Sequence, residues 1–126
     1  LTPPEVSARV IYTVRGGAGA VIPVLPVTDT LKTVDASGLV TGTPRRADMV
    51  AVQTPQGFRW DVLTRAHEAG ASRSADEAVA ATYDAGLVEA VGGSVQTVAG
   101  DERSLKVTRP LDLALAQLLA AEEPSA

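Results

Sequence analysis

Ala20-Val21-Ile22-Pro23-Val24-Leu25-Pro26-Val27 is apolar at every position and rich in β-branched residues. Such a run offers no polar face to water, so it fits a strand covered by helices on both sides. Pro23 and Pro26 each remove a ladder donor, which predicts that the strand lies at a sheet edge, bulges, or leaves the sheet near Pro26. Upstream, Thr2-Pro3-Pro4-Glu5 reads as a capping box in which the Thr2 hydroxyl accepts the Glu5 amide hydrogen. Val6, Val10, Ile11 and Val14 then recur at helical spacing as one buried stripe, and Gly16-Gly17 supplies the left-handed residue that ends the helix.

Downstream, Thr30-Leu31-Lys32-Thr33-Val34 and Leu39-Val40-Thr41 flank Asp35-Ala36-Ser37-Gly38, a hairpin signal. A ribbon with so few apolar residues buries little by itself and needs a partner surface, so residues 27–46 are expected to form a protruding β-arm. Residues 47–52 are a second buried-strand candidate, and Gln53-Thr54-Pro55-Gln56-Gly57-Phe58 reads as a turn. A helix is expected over 60–68, burying Trp60, Leu63 and His67 and closed by Gly70. A short turn capped at Ser74, a helix over 84–91 ended by Gly92-Gly93, and short strands over 94–98 and 105–107 follow. The last helix starts near Pro110 with Leu111, Leu115, Leu118 and Leu119 on one face, and 122–126 should fray. Strands interleaved with helices make this an α/β chain, with a mostly parallel sheet and one antiparallel excursion at the arm.

A length of 126 residues suits one domain, and 45% apolar against 21% charged residues allows a core. The net charge of −4 has the wrong sign for non-specific nucleic-acid binding, so an anionic ligand must meet a local basic cluster. Cysteine is absent, which excludes disulfides and thiolate chemistry and fits a reducing cytoplasm. A single histidine, His67, excludes multi-histidine metal sites, and four aromatics are too few for a base-stacking platform. No apolar run approaches the roughly 18 residues a membrane span needs, so neither nucleic acid nor membrane is an expected partner. The sequence opens on Leu1 with a helix signal directly behind it, so the expectation is a fragment of a longer protein.

Gly16-Gly17-Ala18-Gly19 follows a helix and precedes a strand, the reverse of a phosphate-binding loop, and reads as a helix stop. Asp76, Asp84, Asp101 and Glu102 read as solvated loop carboxylates, and His67 as a histidine satisfied at a helix terminus. More informative are Thr30, Lys32, Arg45, Arg46, Thr54, Thr82, Lys106 and Arg109, hydroxyls and cations placed at element ends. Charge-assisted hydrogen bonds from such groups suit a phosphate on a polyol, although taken alone they fit a solvated surface better, because threonines and basic residues are common at strand ends.

Three segments carry a resemblance: Val24-Leu25-Pro26-Val27-Thr28-Asp29-Thr30-Leu31-Lys32, Gln53-Thr54-Pro55-Gln56-Gly57-Phe58, and Leu105-Lys106-Val107-Thr108-Arg109-Pro110-Leu111-Asp112-Leu113. In content, order and spacing they resemble the 2-C-methyl-D-erythritol 4-phosphate cytidylyltransferase family, over essentially the whole chain. The resemblance implies a Rossmann-like nucleotidyltransferase sheet with a protruding β-arm, of which this chain is the C-terminal half. It also implies a homodimer with interlocking arms, and transfer of CMP from CTP to methylerythritol phosphate in non-mevalonate isoprenoid synthesis. By motif, Arg46 and Lys106 would position the acceptor phosphate, and Thr30, Thr54 and Thr82 would contact substrate. Arg46 and Thr30 would reach a neighbouring subunit's site. The family's glycine-rich CTP loop, and the His-Asp-Ala-Ala-Arg segment that helps bind nucleotide and Mg2+, would lie before Leu1, so Mg2+ is expected with ligands outside this chain. Thr82-Tyr83-Asp84-Ala85-Gly86 departs from the family's Thr-Asp-Asp/Glu-Ala-Ser. Two alternatives stand beside this reading: a ribitol or other pentitol phosphate as acceptor on the same fold, and a non-catalytic piece that only dimerises.

Overall fold

The structure is a computed structural model and describes residues 1–71 and 84–122. Helix α1 (Pro4–Arg15) leads into β1 (Ala20–Pro26); a two-stranded ribbon, β2 (Thr33–Val34) and β3 (Val40–Gly42), precedes β4 (Val50–Val52) and β5 (Gly57–Phe58). Helices α2 (Trp60–Ala71) and α3 (Asp84–Ala90), strand β6 (Gln96–Ala99) and helix α4 (Pro110–Glu122) complete the order. The capping-box reading is corrected at the first turn. Pro3 is extended and occupies the cap without a side-chain hydrogen bond, because a residue before proline is pushed out of the helical region and Pro4 is pre-set for the first helical position. The helix ends as read, with Gly17 at φ 120°.

Strand β1 is central rather than an edge. β4 and β5 pair antiparallel with it along one side, and β6 pairs parallel along the other. The antiparallel pairing is therefore not confined to the ribbon, and the sheet is mixed. Both prolines fit because of where their missing donors point. Pro23 accepts from the Gln53 amide at 2.8 Å, so its own N–H position faces that same side. There the neighbouring strand breaks: Ile22 and Pro23 lie opposite the four residues Gln53 to Gln56, between the pairs Val24↔Val52 and Val21↔Gly57. The Val24 carbonyl faces the other side and accepts from Gly100 N. Pro26, two residues on, faces that side too, past the last parallel pair, Val24↔Ala99.

The two faces of β1 are covered by different helices. Ala20 and its partner Phe58 pack with Val62 and Ala66 of α2 and with Leu87 and Val88 of α3. Val21 and its partner Gly57 lie on the opposite face, where Val10 and Val14 of α1 approach Gly57. Val6, Val21, Pro23 and Val88 are fully buried. Arg9 fastens α1 to the end of β6 through the carbonyls of Ala99 and Gly100, at 2.9 and 3.4 Å.

Several expected burials do not occur. In α2 the buried residue is Ala66, whereas Trp60 is 81% exposed and His67 lies at the surface. Small alanines let α2 come close to its neighbours, so its inner stripe is displaced from the one marked by large side chains. Gly70 lies inside α2, and a Cβ there would stand 3.0 Å from Leu87. In α4 only Ala116 is buried; Leu111, Leu115 and Leu118 are exposed and Leu119 is half-buried, so most of the leucine face finds no cover among the described residues. Residues 105–107 pair with no strand: both sides of β1 are occupied, and Asp101 caps a 3-10 turn at Glu102–Ser104 instead. Residues 46–48 form another 3-10 turn, and β4 after it is exposed rather than buried. The capped turn expected at Ser74 lies outside the described residues.

The start of α4 is organised by Asp112. Its carboxylate accepts from the guanidinium of Arg109 at 3.2 Å and from the backbone N–H groups of Arg109 and Thr108, at 2.9 and 3.2 Å. That is the returning half of a capping box, with the acid at the third helical position. The Arg109 guanidinium, followed by the two amides, lowers the Asp112 pKa from 3.8 to about 2. Because the folded value is the lower one, the carboxylate favours the folded turn at pH above about 4, and that contribution disappears as pH falls toward 2. We expect α4 helicity, followed by circular dichroism, to decline between pH 4 and 2 in the natural sequence, and Asp112→Asn to remove most of that dependence. A second expectation concerns Gly57, where a Cβ would stand 2.5 Å from Val10 Cγ1 and 3.2 Å from Val14 Cγ2. Gly57→Ala should push α1 off the sheet and lower stability by about 1 to 3 kcal/mol, read from the denaturant midpoint.

Candidate acceptor-binding cleft

The break in the strand opposite Pro23 leaves Gln53–Gln56 as a turn between β4 and β5, and the segment after the 3-10 turn at Glu102–Ser104 lies beside Gln53 and Thr54. Between them lies a cleft of about 250 Å³ lined by Leu25, Val52, Gln53, Thr54, Ser104 and Lys106, among others. Thr54 and Lys106 come from different motifs, yet they share this cleft. Apolar Leu25, Ala51, Val52 and Leu105 line it together with Thr54 and Lys106, a hydroxyl-bearing and a cationic residue, a combination suited to a small anionic polyol. The Ser104 side-chain oxygen is buried and has no hydrogen-bond partner among the described residues. A second hollow, of about 280 Å³ between Val62, Arg65, Val88 and Gly92, includes none of the expected substrate residues.

Arg46 and Thr30 do not line this cleft. Arg46 donates to the Thr28 carbonyl at 2.9 Å, at the base of the ribbon, and Thr30 is exposed on the approach to β2. The ribbon is a separate two-stranded sheet whose turn is tied by Asp35. The Asp35 carboxylate accepts from Ser37 Oγ at 2.7 Å, Ser37 N at 2.9 Å and Leu39 N at 3.0 Å, which lowers its pKa. Gly38 at φ 86° closes the turn. Lys32 donates to Thr43 Oγ1 at 2.6 Å, and Thr33 and Thr41 share a hydrogen bond at 2.8 Å. Thr82, with the neighbouring Tyr83, lies outside the described residues.

Of the other groups, Arg109 is committed to Asp112, and Arg45 stands 4.0 Å from Asp48 in solvent. His67 Nε2 lies 2.9 Å from Asp84 Oδ1, so the histidine joins α2 to α3 rather than serving a helix terminus. No group of three or more His, Cys, Asp or Glu gathers as a metal-ligand set among the described residues. No described helix is long and apolar enough to cross a membrane. Sequence reading missed Gln53, whose side chain spans from the Thr54 turn to Asp101; the one hint is Gly100, where a Cβ would collide with the Gln53 carboxamide.

The family model described as 2-C-methyl-D-erythritol 4-phosphate cytidylyltransferase matches residues 1–122. A protein of that name from Rhodococcus jostii is 52% identical over 122 residues, covering 97% of this chain and 51% of its own. One from Nocardia farcinica is 54% identical over 119 residues, covering 94% and 48%. The chain thus spans about half the length of the curated relatives it matches. Among solved structures, the enzyme of that name from Thermus thermophilus superposes with a TM-score of 0.79 at 39% identity, over 96% of this chain and 57% of its own. The 4-diphosphocytidyl-2C-methyl-D-erythritol synthase of Anaerococcus prevotii gives 0.81 at 27% identity, over 97% and 54%. With the motifs, the mixed sheet and the match over residues 1–122 in agreement, the chain belongs to the 2-C-methyl-D-erythritol 4-phosphate cytidylyltransferase family of nucleotidyltransferases.

Proposed function

We propose that this chain is the acceptor-positioning and dimerisation half of a cytoplasmic enzyme that transfers CMP from CTP to 2-C-methyl-D-erythritol 4-phosphate. The observation that carries this reading is the meeting of Thr54 and Lys106 in one cleft. An acceptor phosphate oxygen attacks the α-phosphorus of CTP; a P–O bond to the acceptor forms as the bond to pyrophosphate breaks. Lys106 offsets the charge of the attacking phosphate, and the Thr54 hydroxyl donates to it, so that catalysis here is orientation and neutralisation. Thr82 would add a further contact. When bound, Mg2+ would neutralise the triphosphate, held by residues outside this chain. The relatives' names agree on methylerythritol phosphate as acceptor, and no observation favours a pentitol phosphate or a purely structural role.

The ribbon supports a homodimer. Val34, Leu39 and Val40 are 60%, 68% and 59% exposed on an element too small to be stable alone, which suits a surface covered by a second subunit. In that arrangement Arg46 and Thr30 reach the partner subunit's acceptor phosphate.

The test is a chimaera joining the first half of the Rhodococcus jostii relative to residues 1–126, assayed by pyrophosphate release. Arg46→Ala and Lys106→Ala should each remove a charge-assisted contact of about 1.5 to 3 kcal/mol and lower turnover by about one to two decades, with CTP binding retained. Arg45→Ala should stay near the parent; if it is as damaging as Arg46→Ala, the residue assignment is wrong. The 126-residue chain alone should release no pyrophosphate from CTP. Deleting residues 27–46 from the chimaera should yield inactive monomers by sedimentation, and a surviving dimer would refute the ribbon's role.

A further inference from the structure

The walls of the cleft are joined by one side chain. Gln53 Nε2 donates to the Asp101 carbonyl at 2.9 Å, and Gln53 Oε1 accepts from the Asp101 amide at 3.0 Å. A carboxamide matches a peptide unit donor to acceptor, so the pair is a two-point clasp with a defined orientation. Gly100 leaves the room it needs, since a Cβ there would collide with Gln53 Oε1 and lie 3.0 Å from the Val24 carbonyl. The backbone of Gln53 is itself fixed on β1 through Pro23. At the other end, Asp101 starts the turn that leads to Lys106: its carboxylate accepts from Arg103 N at 2.8 Å and its carbonyl from Ser104 N at 2.9 Å. Thr54 follows Gln53 directly, so the clasp connects the residue before Thr54 to the turn before Lys106.

We propose that Gln53 is a positioning residue: by clasping the Asp101 backbone it sets the span between Thr54 and Lys106, and with it the affinity of the cleft for a phosphate-bearing polyol. This deepens the acceptor-site reading and rests on it. A leucine at position 53 would keep the bulk and lose both hydrogen bonds. A glutamate would still accept from the Asp101 amide but could not donate to its carbonyl. Since Gln53 acts through the placement of Lys106, removing Lys106 should make the clasp irrelevant to binding.

The experiment is calorimetric titration of the chimaera of the Rhodococcus jostii first half with residues 1–126, and of its variants, with 2-C-methyl-D-erythritol 4-phosphate, at a temperature where circular dichroism finds every variant folded. Gln53→Leu should weaken binding about tenfold, as small misplacements of a binding group do, and Gln53→Glu should recover part of the loss. In the Lys106→Ala background, Gln53→Leu should cost nothing further. Losses that simply add would mean a structural role and overturn the inference, as would unchanged affinity in Gln53→Leu with faster exchange of the Asp101 amide. Should Lys106→Ala bind like the parent, or the parent not bind at all, the acceptor-site reading fails and takes the inference with it.

Discussion

Pro23 and Pro26 have no N–H to donate, and strand β1 is nevertheless hydrogen-bonded on both sides. The constraint that reconciles these facts organises the molecule. Where Pro23 faces its antiparallel neighbour, that neighbour has to break, and the break becomes the Gln53–Gln56 turn. Where Pro26 faces the parallel side, the ladder has already ended, and the chain after β6 is free to turn at Asp101. Both walls of the cleft are thus placed by donors that β1 lacks. An all-donor strand would extend both ladders and leave no reason for the cleft to open there.

Much of this architecture is legible in the sequence, and the failures share a cause. The unbroken apolar run of β1 announces cover on both faces, and α1, α3, α4 and the ribbon arise close to where spacing and turn residues put them. The edge assignment fails because it treats each proline as a fault in the strand; alternation sends the two gaps to opposite sides, where each is harmless. In α2 and α4 the inner stripe is read from Trp60, Leu63 and the leucines, whereas close packing is made by Ala66 and Ala116. Periodicity weights side chains by size, but two elements come nearest where side chains are small.

The candidate site divides along the same line. Motif resemblance picks out Thr54 and Lys106, and the fold brings them together, while no local spacing relates positions so far apart. Gln53 escapes notice because its partner is the backbone of Asp101, and a backbone amide has no sequence signature. Arg46 and Thr30 stand apart from the cleft, so the proposed role for them rests on a second subunit whose cleft they would reach. Arg109, equally basic, is held by Asp112 at a helix start, so basic character at an element end does not by itself distinguish a ligand contact from a cap.

The ribbon and the central sheet differ in how far along the chain their contacts reach, and this bears on the order in which they form. Thr33 meets Gly42 across a turn that Asp35 ties with its own neighbours, so the ribbon closes a short loop and forms on the timescale of a hairpin, if only transiently. Val21 meets Gln96, so the parallel ladder must await the closure of most of the intervening chain. The ribbon therefore explores its exposed shape while β1 still lacks one flank. In the proposed homodimer, an encounter between two chains at that stage would join them before the parallel ladder that flanks the cleft has formed.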